Sequence, residues 1–202
     1  MKTRSILTLA AAGALALAVA PPRLGAQAAP APAGSIAGFS SIPWGSPEAA
    51  VVARAGQPAQ TTPMRGDIKV LVYTESLLGE NVTTLYYLQA QHGLIAGGYF
   101  APYTFGNSCW EIYSKFKSAI AERYSDLRPD LQEANQSQSL DMCAAIGIHR
   151  AGAGTTWNDP ANGARAYVQI KDDPREVQTM YFSAQGLQDI EAMNAGERRD
   201  RF

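Results

Sequence analysis

Between Ile68 and Phe100 the chain repeats one local pattern three times: a strand-like run of β-branched and aromatic residues, then a turn. Ile68–Glu75 alternates Ile68, Val70 and Val72 with Lys69, Leu71 and Tyr73, the two-residue period of a strand. Val82–Gln89 is rich in Val, Thr and Tyr, and Leu94–Phe100 follows the tight-turn sequence Gln91-His92-Gly93. Two hairpins in succession predict an antiparallel meander.

Helices flank this meander. Ser46-Pro47-Glu48 has the order of a helix start: a hydroxyl for the free N–H groups, Pro at the first helical position, and an acid at the positive end of the dipole. The helix is predicted over 47–55, burying Val51, Val52 and Ala55, with Gly56 and Pro58 as its stop. Ser108-Cys109-Trp110-Glu111 fits a capping box. From it Cys109, Ile112, Tyr113, Phe116, Ile120 and Tyr124 recur at helical spacing to about Ser125. Residues 126–139 read as a polar loop, Leu140–His149 as a half-buried strand and Thr155-Thr156-Trp157 as a short strand. Ala164–Lys171 and Glu176–Ser183 form the clearest hairpin, with Ala166, Val168 and Ile170 inward and Asp172-Asp173-Pro174-Arg175 as its turn. A last helix is predicted over Leu187–Asn194, followed by a frayed tail at 196–202.

The predicted order is α-βββ-α-ββββ-α. It describes one α+β domain over 39–195, an antiparallel sheet with helices packed on one face. The halves 39–105 and 106–195 echo each other, since Phe39 precedes Trp44 by the spacing at which Phe105 precedes Trp110. That spacing fits either a duplication or a coincidence.

The front end sets the compartment. Lys2 and Arg4 lead into an uncharged Ala/Leu-rich run from Ile6 to Ala20, and Ala26-Gln27-Ala28 supplies small residues for cleavage after Ala28. Residues 1–28 therefore read as a secretory signal peptide and 29–38 as a flexible leader. The apolar run is shorter than the ~20 residues a membrane-crossing helix needs. No Cys stands near the cleavage site to take a lipid. Without Lys2, Arg4 and Arg23 the chain carries 14 basic and 18 acidic residues, a net charge of −4. A nucleic-acid partner is excluded on that balance, because phosphate neutralisation needs a surplus of Lys and Arg. The expected location is the periplasm or the exterior.

Two cysteines, Cys109 and Cys143, in a chain bound for an oxidising space favour one disulfide. In the chain-entropy model it contributes roughly 3–4 kcal/mol. The rival reading is a pair of buried thiols. His92 and His149 stand too far from the cysteines in sequence for a metal-ligand spacing, so no metal is expected.

Ile42-Pro43-Trp44-Gly45-Ser46-Pro47-Glu48, then Val52, then Gly56-Gln57-Pro58, resembles the opening of a group of uncharacterised small exported bacterial proteins. These share a Trp-Gly-x-Ser/Thr-x-Glu start, a short helix and a Gly-x-Pro stop. The same opening is distantly similar to that of outer-membrane assembly lipoproteins of the SmpA/OmlA type. The chain departs from the lipoproteins in lacking their lipidated Cys. The resemblance implies a small envelope domain and brings no catalytic residues with it.

No phosphate loop, nucleophile elbow or metal-protease motif occurs, and no cofactor is expected. His92 reads as a turn residue, and His149, at a strand end, has no identifiable nucleophile beside it. Glu75/Glu80 and Asp172/Asp173 read as solvating acids at turns. The aromatic set of the meander is the feature that points to binding. Tyr86 and Tyr87 are adjacent and must face opposite ways. Those of Tyr73, Tyr86, Tyr87, Tyr99 and Tyr103 that face outward would form a platform for a protein, peptide or glycan; the competing reading is ordinary strand packing. The expected function is a non-enzymatic binding or assembly factor for another envelope component. A hydrolase using a His/carboxylate pair and a small-ligand carrier are the alternatives.

Overall fold

The computed structural model describes residues 34–65, 67–104, 109–133 and 153–200. The chain enters through a minimal hairpin of β1 (Gly38–Phe39) and β2 (Ile42–Pro43), turned by Ser40 and Ser41 at φ +50° and +64°. Helix α1 (Glu48–Ala55) follows, with Val51 fully buried, and Gly56 at φ +88° ends it. Strands β3 (Gln60–Pro63), β4 (Ile68–Leu77), β5 (Glu80–Gln89) and β6 (Gly93–Pro102) then form an antiparallel meander. The second half repeats the plan: α2 (Cys109–Arg123), then β7 (Pro129–Glu133), β8 (Ala153–Asn158), β9 (Arg165–Lys171) and β10 (Glu176–Phe182). Helix α3 (Ala184–Asp200) closes the chain.

The eight strands make one sheet in the order β3-β4-β5-β6-β10-β9-β8-β7. Each half contributes a helix and a four-stranded meander. The last strand of each, β6 and β10, pair antiparallel in the middle, with Tyr99 opposite Thr179. The fold is α+β, as the element pattern predicts.

Period-two alternation divides the sheet into two faces. One face carries the row Leu71, Tyr86, Gly97, Tyr181, Ala166 and Trp157, adjacent across successive strands. Against it pack Phe39, Val51 of α1, and Ile112, Tyr113, Phe116 and Ile120 of α2, which together form the main core. The amphipathic spacing of α2 is the reason these four side chains reach the sheet. The expectation of helices on one face holds for α1 and α2. Helix α3 lies on the reverse face, where Leu187 and Ile190 pack on Ala96, Met180 and Phe182.

Helix α3 also starts earlier than its apolar residues suggest. Ser183 Oγ accepts from the Gly186 N–H (2.9 Å) and donates to the Ile95 carbonyl (3.0 Å), capping the helix and tying its first turn to β6. Gly186 looks like an interruption in sequence, yet a Cβ there would stand 2.2 Å from the Ile95 carbonyl oxygen. The close approach requires Gly.

Several expectations are corrected. Ser46 does not cap α1; its hydroxyl donates to the Pro43 carbonyl (2.7 Å), and Pro47 takes the cap position without a side-chain bond. The stretch after Pro58 holds strand β3, and the polar segment read as a loop over 126–139 holds β7. Both are edge strands, short and polar because they lack a second strand neighbour and a core to demand apolar residues. Ser108, Phe105 and the strand expected over Leu140–His149 lie outside the described residues, as do the signal peptide and residues 29–33.

The remainder of the expected leader is not loose. Ile36 is fully buried, and the Asp159 carboxylate accepts from its N–H (2.9 Å) and from Ser35 Oγ (2.7 Å). The Trp44 indole N–H donates to the Ile36 carbonyl at 2.7 Å. Gly45, at φ +79°, brings its carbonyl so close to Gly93 that a Cβ on Gly93 would stand 2.4 Å away. The Trp44-Gly45-Ser46 opening thus clamps the entering chain to the β5–β6 turn.

Candidate functional site

The sheet separates the five tyrosines singled out from sequence. Tyr73, Tyr86 and Tyr103 are buried on the face covered by α1 and α2, and Tyr99 is half-buried there. Their hydroxyls serve the fold: Tyr73 donates to the Gly56 carbonyl (3.0 Å) and Tyr103 to the Lys171 carbonyl (2.8 Å). At the β1–β2 turn the Ser40 hydroxyl partly offsets the burial that raises the Tyr86 and Tyr99 hydroxyls. These four are core and cannot form an outward platform. Tyr87 alone takes the reverse face.

On that reverse face Tyr87 is joined by side chains from neighbouring strands. Phe100, Tyr167 and Tyr87 pack, each partly exposed, around Ala96, Met180 and Phe182. The Tyr167 and Phe182 rings stack at 5.9 Å. Gly98 leaves space that Met180 and Phe100 fill: a Cβ at Gly98 would stand 2.2 Å from the Met180 sulfur. Val72, Thr83 and Leu85 continue the half-exposed surface towards β4. A polar rim completes it, with Gln169 Nε2 donating to Gln178 Oε1 (2.8 Å) and Gln178 Nε2 to Glu176 (2.7 Å). Burial pushes the Tyr87 hydroxyl up to about 12 and raises Tyr167 as well, so both stay neutral hydrogen-bonding groups at any physiological pH.

Tyr167 stands in sequence between the inward-facing Ala166 and Val168. Its parity is opposite to that of Ala166 and Val168, and the alternation of β9 was the signal available for finding it.

Of the remaining candidates, His92, Glu75 and Glu80 have structural partners. His92 is exposed in the β5–β6 turn, its Nδ1 3.3 Å from the Asp189 carboxylate of α3. His149 and Cys143 lie outside the described residues. Glu75 and Glu80 do more than solvate a turn. Glu75 accepts a short hydrogen bond from the fully buried Thr84, and Glu80 pairs with Lys115 of α2 at 2.7 Å. Asp173 is exposed in the β9–β10 turn. Among the described residues no three His, Cys, Asp or Glu side chains stand together as metal ligands, and no helix is long and apolar enough to cross a membrane.

A second concavity lies on the helix side. The β4–β5 turn and α2 enclose a cleft of about 420 Å³, with Leu77, Tyr99, Phe116, Ile120 and Tyr181 among its walls and Arg123 at its edge. Burial holds the Tyr181 hydroxyl far above its ordinary range, so it too stays protonated.

Compared with known proteins, the chain matches no family model, no curated protein and no solved structure.

Proposed function

We propose that this chain is an exported, non-enzymatic binding factor that captures a protein partner in the bacterial envelope on the reverse face of its sheet. The observation carrying the reading is the half-exposed cluster of Tyr87, Phe100 and Tyr167 between aliphatic Val72 and Leu85 and the amide rim of Gln169 and Gln178. An aromatic centre bordered by neutral hydrogen-bonding groups has the composition of a protein-binding surface. A phosphate backbone or an anionic membrane would require a cationic face, and this one centres on rings and amides, with Arg165 and Lys171 only at its margin, Lys171 opposite Glu176.

Export rests on the signal-peptide layout of residues 1–28, and the envelope setting on the resemblance of the 42–58 segment to exported bacterial proteins. In that oxidising space Cys109 and Cys143 form a disulfide. Cys109 is fully buried at the start of α2, and no described cysteine is a free thiol.

Photo-crosslinking in the host's own envelope tests the binding face. A crosslinking amino acid at Tyr167 or Leu85 is expected to trap one dominant protein, and the same group at Ser118, exposed on α2, to trap none. Equal labelling from Ser118, or an adduct that persists when Phe100→Ser is added, would overturn the assignment.

A further inference from the structure

We propose that the cleft between the β4–β5 turn and α2 binds a small amphipathic monocarboxylate, its apolar tail on the tyrosine floor and its carboxylate on Arg123. The site is independent of the reverse face and lies on the other side of the sheet.

Three observations converge on it. The floor is apolar and aromatic, built from Tyr99, Phe116, Ile120 and Tyr181, and its volume of about 420 Å³ suits a ligand of about a dozen heavy atoms. Tyr181 is 8% exposed, and its hydroxyl has no hydrogen-bond partner among the described residues. At the wall of the cleft such a hydroxyl is open to a ligand acceptor. Arg123 lies 5.8 Å from the Tyr124 ring centre and has no carboxylate partner among the described residues. Its planar fork can hold a carboxylate through two parallel hydrogen bonds.

The mouth adds a further sign. Leu78 is 45% exposed and held at φ +55° beside Gly79 at φ +82°, in a turn that ordinarily takes Asn or Gly at its first central position. Leu here is costly twice, through strain and through exposure, and it stands over the cleft. A tail seated beneath it would cover it. Glu122 also lines the cleft and repels a second negative charge, which makes the site selective for a monoanion.

The test uses 3-phenylpropionate as probe and benzylmalonate, the same skeleton with a second carboxylate, as its counterpart, both titrated by calorimetry into the full exported chain. The first is expected to bind, the second about tenfold more weakly. Arg123→Gln is expected to weaken 3-phenylpropionate about tenfold, and Tyr181→Phe severalfold, with unfolding curves unchanged in shape. Leu78→Gly separates binding from folding: it relieves the turn and raises the melting temperature while weakening the probe. No binding at millimolar probe, equal binding of the dianion, or binding indifferent to Arg123→Gln would overturn the proposal.

Discussion

Phe39 lies directly on Gly97: a β-carbon at Gly97 would stand 2.0 Å from the Phe39 ring. The ring also meets Tyr86, Tyr99 and Tyr181 at centroid distances of 5.1, 4.8 and 5.4 Å. The β1–β2 hairpin therefore plugs the centre of the sheet where its two halves meet, and Gly97 provides the recess.

Removing the plug should cost much of the fold's stability. Phe39→Ala leaves a cavity and is expected to destabilise by about 3–5 kcal/mol. Gly97→Ala forces the ring out and should be comparably harmful, by about 2–3 kcal/mol. Because the two residues contact each other, the double variant should lose clearly less than the sum, which urea unfolding of all four proteins measures.

Asp159 makes stability depend on acid. Burial by itself would raise its carboxyl, but bonds from Ser35, the Ile36 and Ala161 N–H groups and Asn162 outweigh it and hold the pKa below the ordinary carboxylate value. With the folded value depressed, the stabilising contribution is complete above about pH 4 and is lost as pH falls through the folded pKa. Asp159→Ala should cost about 2–3 kcal/mol at neutral pH, since it strands the buried Ile36 N–H. It should also flatten the acid limb of a melting-temperature profile, and an unchanged limb would count against this latch.

On the reverse face, Tyr167→Ser and Phe100→Ser remove half-exposed rings and should each lower stability by only about 1 kcal/mol. Their effect on partner capture should be far larger, about thirtyfold or more per ring if they anchor the interface. Tyr86→Ser, from the adjacent position to Tyr87, should do the reverse and unfold the protein, because Tyr86 is core.

The disulfide reading is checked by mass. Protein purified from the envelope and alkylated without reduction should gain no label at Cys109 or Cys143, and reduction first should add two. Loss of the bridge should lower stability by about 3–4 kcal/mol. Labelling without reductant would restore the two-thiol reading.

The alternation from Ile68 to Phe100, the helical spacing from Cys109 to Tyr124 and the turn at Asp172–Arg175 each place an element within a few residues of its observed bounds. Strands β3 and β7 were missed because an edge strand is made by its single neighbour rather than by its own side chains. The start of α3 was missed because Gly186 obeys a contact with Ile95 far away in sequence.

The sequence by itself determined the class of the fold, the order of most of its elements and the fact that Tyr86 and Tyr87 face opposite ways. Only the tertiary structure decided which of the two faces outward. Alternation is a relative property: it assigns partners to a side without saying which side α1, α2 and Phe39 will cover. That choice is made by packing between distant residues, Phe39 on Gly97 and Leu187 on the Phe182 cluster. It moved Tyr73, Tyr86, Tyr99 and Tyr103 into the core and left Tyr87 with Phe100 and Tyr167 on the outward side.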